Sequence, residues 1–225
     1  MIAHGETTIE EARIEALMRR RLAGEPLQYI RGRTEFFGHE FYVDDRVLIP
    51  RPETELLVEA AIERAPRGAR VVDVGTGSGC IAVSIANARP DLHVFAADLS
   101  VAALAVAKRN GVRRAVASDV LHAFRKPFDV VVSNPPYIAA AEVDQLMSEV
   151  RDHEPRIALT PGTHGTEVIE RILAAAGDAL VLMEMAYGQE ASVHAVAARC
   201  GFAVREVRND LAGIPRVVIL SRHAK

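Results

Sequence analysis

Short apolar runs at 71–74, 93–97, 115–118, 128–133 and 179–184 are separated by helical patterns at 80–88, 101–110, 166–176 and 190–199. Strands alternating with helices predict βαβ units, in which each helix returns the chain so that the next strand lies parallel to the last. A final pair, 203–208 and 216–220, is joined only by the segment 209–215. That is too short for a crossover helix, so the pair is predicted to run antiparallel and close one edge of a mostly parallel sheet. In open sheets of this kind ligands bind beyond the carboxyl ends of the strands, where the strand order reverses. The loops after the strands are therefore where chemistry is to be sought.

At 225 residues the chain can hold one α/β domain and a small extension. A helix is expected over 7–22, with Thr8 and Glu11 spaced as a capping box. Gly24 and Pro26 break that pattern, and 34–43 reads as an aromatic hairpin turning at Gly38-His39. The expected division is a leading unit over 1–48 and a main domain over 49–225, whose first helix starts at Pro52. A formal charge of −3 offers no broad basic surface for nucleic acid. No apolar run approaches the roughly 20 residues that span a bilayer, and the acidic start MIAHGETTIEEARIE lacks a secretory pattern. A cytoplasmic location without membrane attachment is expected. Cys80 and Cys200 read as buried small residues, and no metal-ligand spacing accompanies the eight histidines. No metal is predicted.

Three loops stand out. Gly75-Thr76-Gly77-Ser78-Gly79 follows a strand and opens a helix, so its backbone can turn tightly and approach a ligand closely. The spacing G-x-G-x-G departs from the dinucleotide pattern G-x-G-x-x-G. It favours another nucleotide-like ligand, although a tight connection without a ligand has the same form. Asp98, ending the second strand, can accept both hydroxyls of a ribose. It could instead cap the next helix, but Ser100 already suits that task. Asp119 is placed to accept from a purine amino group with Val120 against the ring, and a surface turn fits it nearly as well.

The third loop is Ser133-Asn134-Pro135-Pro136-Tyr137. Two prolines fix φ and restrict the residues before them, so Asn134 is held rigidly at the strand end. Because Pro136 has no N–H, the Pro135 carbonyl can be aimed outward beside the Asn134 side-chain oxygen. Two converging acceptors suit a planar NH₂ group, and Tyr137 can offer it an aromatic face. A rigid strand exit without function is the plain alternative for any isolated Asn-Pro-Pro-Tyr.

Taken together these motifs resemble an S-adenosylmethionine-dependent methyltransferase of the Rossmann-like class I type. The stretches 24–30, 34–38, Leu48-Ile49-Pro50-Arg51-Pro52-Glu53-Thr54-Glu55 and 150–155 are similar to the HemK/PrmC family. The resemblance implies a seven-stranded, mostly parallel sheet and methylation of the glutamine side-chain nitrogen in the Gly-Gly-Gln loop of peptide-chain release factors. It implies S-adenosylmethionine as donor, with S-adenosylhomocysteine as product. Position by position it assigns donor contacts to Gly75, Thr76, Gly77, Ser78 and Gly79, ribose contact to Asp98, and adenine-side contacts to Asp119 and Val120. Asn134 borders the donor, and Asn134, Pro135, Pro136 and Tyr137 bind the substrate amide, with Asn134, Pro135 and Tyr137 in the catalytic set. Relatives usually begin with a longer helical domain than the single helix before Gly24. Glu53 and Glu55 fit the ordinary preference for acids in a first helical turn, and Arg51, weighed with them, is left without a catalytic role. Glu184 sits where sheet ligands bind or where it could cap the next helix, and is left outside the catalytic set. Partners are expected to be release factors, met by a monomer without direct nucleic-acid contact. The alternative acceptor is an adenine or guanine amino group in nucleic acid, opposed by the charge and by the lack of a base-flipping insert.

Overall fold

A computed structural model of the chain describes residues 3–223. Helix α1 (Ala3–Leu22) leads into a short α2 (Leu27–Arg31), then a hairpin of β1 (Arg33–Phe36) and β2 (His39–Tyr42). A 3₁₀ turn, Pro52–Thr54, opens α3 (Glu55–Arg64). The main sheet follows: β3 (Arg70–Val74), α4 (Cys80–Ala88), β4 (His93–Asp98), α5 (Val101–Arg109), β5 (Ala115–Ala117) and β6 (Val130–Ser133). After α6 (Ser148–His153), α7 (Arg156–Leu159) and α8 (Glu167–Ala175) come β7 (Leu180–Glu184), α9 (Glu190–Arg199), β8 (Phe202–Asn209) and β9 (Pro215–Arg222).

The seven-stranded sheet has the order β5-β4-β3-β6-β7-β9-β8. All pairs are parallel except β7–β9 and β8–β9. The predicted sheet and antiparallel edge pair are thus present, with β9 inserted between β7 and β8. Strand order reverses beside β3, which pairs with β4 on one side and β6 on the other. The loops after β3 and β6 therefore open side by side.

The central strands are buried on both faces, as parallel strands covered by helices must be. Alternate residues split between two layers. Val72, Val131, Val181 and Met183 pack with Ile169, Ile172 and Leu173 of α8 and Val193 and Val196 of α9. Val71, Val130, Val132 and Leu182 pack with Leu57 and Val58 of α3 and Ile81 and Ile85 of α4. Phe36 and Phe41 of the hairpin belong to that second layer. Burying these two rings, edge to face at 6.2 Å, anchors the hairpin to the sheet domain.

Three local expectations differ from the fold. Helix α1 already runs from Ala3, so Thr8 lies inside it and not at its N-cap. The break at Gly24–Pro26 is followed by a further helical turn, α2, ended by Gly32 at φ 69°. The hairpin turns one residue earlier than predicted, at Phe37-Gly38, with φ of 49° and 71°. Positive φ at both central residues marks a type I′ turn, whose twist matches the strands. The N–H of Phe37 donates to Glu55 Oε1 at 2.7 Å, tying this turn to α3.

Candidate active site

The turn after β3 is stapled to the neighbouring strand. The N–H groups of Gly75 and Thr76 both donate to the Ala97 carbonyl, at 2.8 and 3.0 Å. Beneath it Asp73 is fully buried, with Oδ2 accepting from the Thr76 hydroxyl at 2.6 Å. Its Oδ1 has no partner, and burial raises its pKa to about 7. Thr76 and Ser78 are 4% and 2% exposed, so their side chains turn inward and leave only backbone for a ligand. Gly79, at φ 83°, serves packing: a Cβ there would lie 2.6 Å from Val112 Cγ2. Of the five turn residues, Gly75 and Gly77 line the cleft, while Thr76, Ser78 and Gly79 do not.

That cleft has a volume of about 830 Å³ counting its open mouth, and Asp98, Asp119, Val120, Asn134, Pro135 and Pro136 line it as well. Asp98 accepts from the Gly77 N–H at 2.9 Å through Oδ2 and from the Ser100 N–H at 2.8 Å through Oδ1. Burial pushes its pKa up against these bonds. The cap of α5 is Ser100, whose hydroxyl oxygen accepts from the Ala103 N–H at 3.1 Å. Asp98 is thus free of capping duty, and each carboxylate oxygen keeps acceptor capacity towards the cleft. A carboxylate with spare acceptor capacity, beside a turn whose glycines bring bare backbone to the cleft, fits the ribose hydroxyls of an S-adenosyl donor.

Asp119 is only partly exposed and forms an ion pair with Arg171 of α8 at the cleft wall. Val120 is 6% exposed and sits at φ 51°, an unusual backbone for a β-branched residue. It therefore presents a fixed apolar wall where the sequence placed an adenine-side contact.

A second hollow, about 490 Å³, is lined by Arg51, Tyr137, Ile138 and Val150, and it shares Leu48, Asn134, Pro135, Pro136 and Ala158 with the cleft. Asn134, Pro135 and Pro136, with Leu48 and Ala158, therefore line both cavities. Asn134 Nδ2 donates to Thr54 Oγ1 at 3.1 Å, and Thr54 donates to Glu184 Oε2 at 2.6 Å. The Tyr137 hydroxyl donates to Glu184 Oε1 at 3.3 Å. Among the described residues no hydrogen bond ends on Asn134 Oδ1 or on the Pro135 carbonyl oxygen, so both acceptors remain open. Burial raises the pKa of Glu184, and burial together with the nearby Glu184 charge raises that of Tyr137. Tyr137 lines the hollow and not the cleft.

Thr54 and Glu184, which sequence reasoning left out of the site, hydrogen-bond to its Asn134 and Tyr137 without lining either cavity. Glu184 caps nothing: α9 starts after Gln189, without a side-chain cap. Its position at a strand's carboxyl end was the available signal. Glu55 holds the hairpin turn, and Glu53 is exposed. Arg51 pairs at 2.6 Å with Glu154, whose side chain is 1% exposed. This joins the segment before α3 to the end of α6 beside the hollow.

Residues 52–174 match the methyltransferase small domain family, and residues 1–32 match the PrmC N-terminal domain. The release factor glutamine methyltransferase of Koribacter versatilis is 42% identical over 95% of this chain and 80% of its own length. That of Neisseria gonorrhoeae is 41% identical over 96% of the chain and 84% of its own length. The chain belongs to the release factor glutamine methyltransferase family. Like other members of this family it is an enzyme that uses S-adenosylmethionine as methyl donor. A methyltransferase from Pyrococcus furiosus, 16% identical, superposes with a TM-score of 0.62 over 96% of this chain and all of that one, a likeness of fold alone.

Proposed function

We propose that this release factor glutamine methyltransferase transfers a methyl group to the side-chain amide nitrogen of the glutamine in the Gly-Gly-Gln loop of a peptide-chain release factor. The observation that carries the reading is a shared lining: Asn134, Pro135 and Pro136 border both the cleft and the hollow. The donor belongs in the cleft, held by Gly75, Gly77 and Asp98, with Asp119 and Val120 on the adenine side. When bound, it supplies an electrophilic methyl carbon on sulfur. The acceptor carboxamide belongs in the hollow, beside Tyr137.

An amide nitrogen is a weak nucleophile because its lone pair is delocalised into the carbonyl. Asn134 Oδ1 and the Pro135 carbonyl accept its two N–H groups and orient it towards the methyl carbon. These bonds strengthen as positive charge develops on nitrogen, so they favour the transition state over the ground state. Orientation accounts for most of the acceleration. As the C–S bond breaks and the sulfur leaves as a neutral thioether, the amide nitrogen becomes cationic; that cation is strongly acidic and releases its proton to water, so no strong base is required.

The chain is divided functionally into a docking unit over 1–48 and a transferase domain over 49–225. Exposed Ile14 and Met18 on α1 suit contact with a protein substrate. The reaction is placed in the cytoplasm, with the enzyme acting as a monomer and without direct nucleic-acid contact, in keeping with the net charge of −3. No described helix is long and apolar enough to cross a membrane. Incubation with labelled donor and a purified release factor tests the acceptor. Label should appear on the factor and vanish when the loop glutamine is changed to alanine. Label on duplex DNA and not on protein would overturn the assignment.

A further inference from the structure

A side-chain amide is nearly symmetric in shape. Turning Asn134 by half a revolution about its last bond exchanges an acceptor for a donor at no steric cost. With the NH₂ end outward, Asn134 would meet an acceptor carboxamide donor against donor, and binding and orientation would both fail. Something must set the polarity, and the prolines that fix the backbone do not.

We propose that Thr54, held by Glu184, is the positioning residue that sets which end of Asn134 faces the substrate. The assignment rests on the acceptor role given to Asn134 above. Thr54 is 2% exposed, so water does not compete for its hydroxyl. That hydroxyl has one hydrogen, and it is committed to Glu184 Oε2 at 2.6 Å. Towards Asn134 it can then only accept, which requires Nδ2 there, at 3.1 Å, and leaves Oδ1 as the end without a protein partner among the described residues. Glu184, itself 2% exposed, takes its other hydrogen bond from Tyr137, three residues beyond Asn134. Both hydroxyls therefore converge on one carboxylate behind the substrate-binding loop. Thr54 stands at the entry to α3, where a threonine side chain commonly caps the helix, yet it makes no cap bond. Its hydroxyl is directed wholly to this chain of contacts, which links residues 80 and 130 positions apart in sequence.

The test compares wild type with Thr54→Val, Thr54→Ser and Glu184→Gln in the full chain. Donor dissociation constants come from calorimetry, and kcat and KM come from release-factor methylation. Thr54→Val keeps the shape and removes the hydroxyl, and should lower kcat/KM on the order of 10- to 100-fold, as expected when a reacting group is misoriented. Donor affinity should stay within about twofold, and Thr54→Ser should recover to within about threefold, because only the hydroxyl matters. Glu184→Gln, whose amide can either donate to or accept from Thr54, should fall between. Retained kcat/KM in Thr54→Val, an equal loss in Thr54→Ser, or a parallel loss of donor affinity would each overturn the assignment. If wild type methylates no release factor, the acceptor reading fails by itself, and the Thr54 role is decided by NMR of the Asn134 side-chain NH₂, identified by its absence in Asn134→Asp. Slow exchange of that NH₂ that is lost in Thr54→Val supports the role, and an unchanged signal contradicts it.

Discussion

The backbone N–H of Gly77 donates to Oδ2 of Asp98 at 2.9 Å, joining two loops 21 residues apart at the point where donor binding is placed. Asp98 thus orders the glycine turn as well as facing the cleft. Asp98→Ala should weaken donor binding by about 10- to 100-fold, the range for hydrogen bonds to a charged group. It should also lower stability, because the Gly77 and Ser100 N–H groups lose their partner. Calorimetric titration with S-adenosylhomocysteine, alongside thermal unfolding, checks both. Unchanged affinity would remove Asp98 from the donor site.

Gly79 acts through packing. With φ of 83° and a would-be Cβ only 2.6 Å from Val112 Cγ2 and 3.1 Å from Ala107 Cβ, Gly79→Ala forces α4 away from α5. A destabilisation of about 2–4 kcal/mol is expected in urea unfolding, combining backbone strain with overpacking. Gly213→Ala, also at positive φ but with nothing within 4 Å, should cost only about 1 kcal/mol. Equal costs would show that packing against α5 is not what excludes a side chain at 79.

Asp73 predicts an unusual pH dependence of stability. Its folded pKa, about 7, lies above the ordinary carboxyl value, so between roughly pH 4 and pH 7 the folded chain holds a proton that the unfolded chain has released. Its contribution therefore falls as pH rises through that window, by on the order of 4 kcal/mol at most. Asp73→Asn, which keeps an oxygen for the Thr76 hydroxyl, should lack this decline. Urea unfolding at pH 5 and pH 8 measures it, and equal slopes in the two proteins would refute the assignment.

Glu184 couples pH to turnover. Burial and the charge of Glu53 raise its pKa, opposed by the Thr54 and Tyr137 hydroxyls and by Arg216. Once protonated, it can donate to Thr54 and so release the Thr54 hydrogen towards Asn134. Activity should therefore fall as pH drops, beginning above the ordinary glutamate range, and this acid limb should be absent in Glu184→Gln. A pH profile of kcat/KM that keeps the same limb in the variant would contradict the coupling.

How far the sequence reached follows from the range of each interaction. Helices α4 and α9 occupy their predicted bounds because periodicity and flanking glycines act locally. The hairpin slipped by one residue because Phe37 takes the positive φ that its type suggests it would avoid. The turns and short helices between Ala140 and Leu159 have no periodicity long enough to detect. The cleft residues Gly75, Gly77, Asp98 and Asn134 were legible because each sits where a strand ends. Thr76, Ser78 and Gly79 share that motif but face inward, a distinction that packing alone reveals. Thr54 and Glu184 meet across 130 positions, and no local pattern announces such a contact.

Asn134→Ala is the decisive variant, because it removes one acceptor from the lining shared by the cleft and the hollow while leaving the glycine turn and Asp98 intact. Donor dissociation constant and single-turnover methylation of a release factor should be measured on the same preparation. Donor affinity is expected within about threefold of wild type and the methylation rate reduced by about 100-fold or more, the effect of losing one preorganised transition-state contact. Comparable loss of both, or turnover near the wild-type rate, would contradict it.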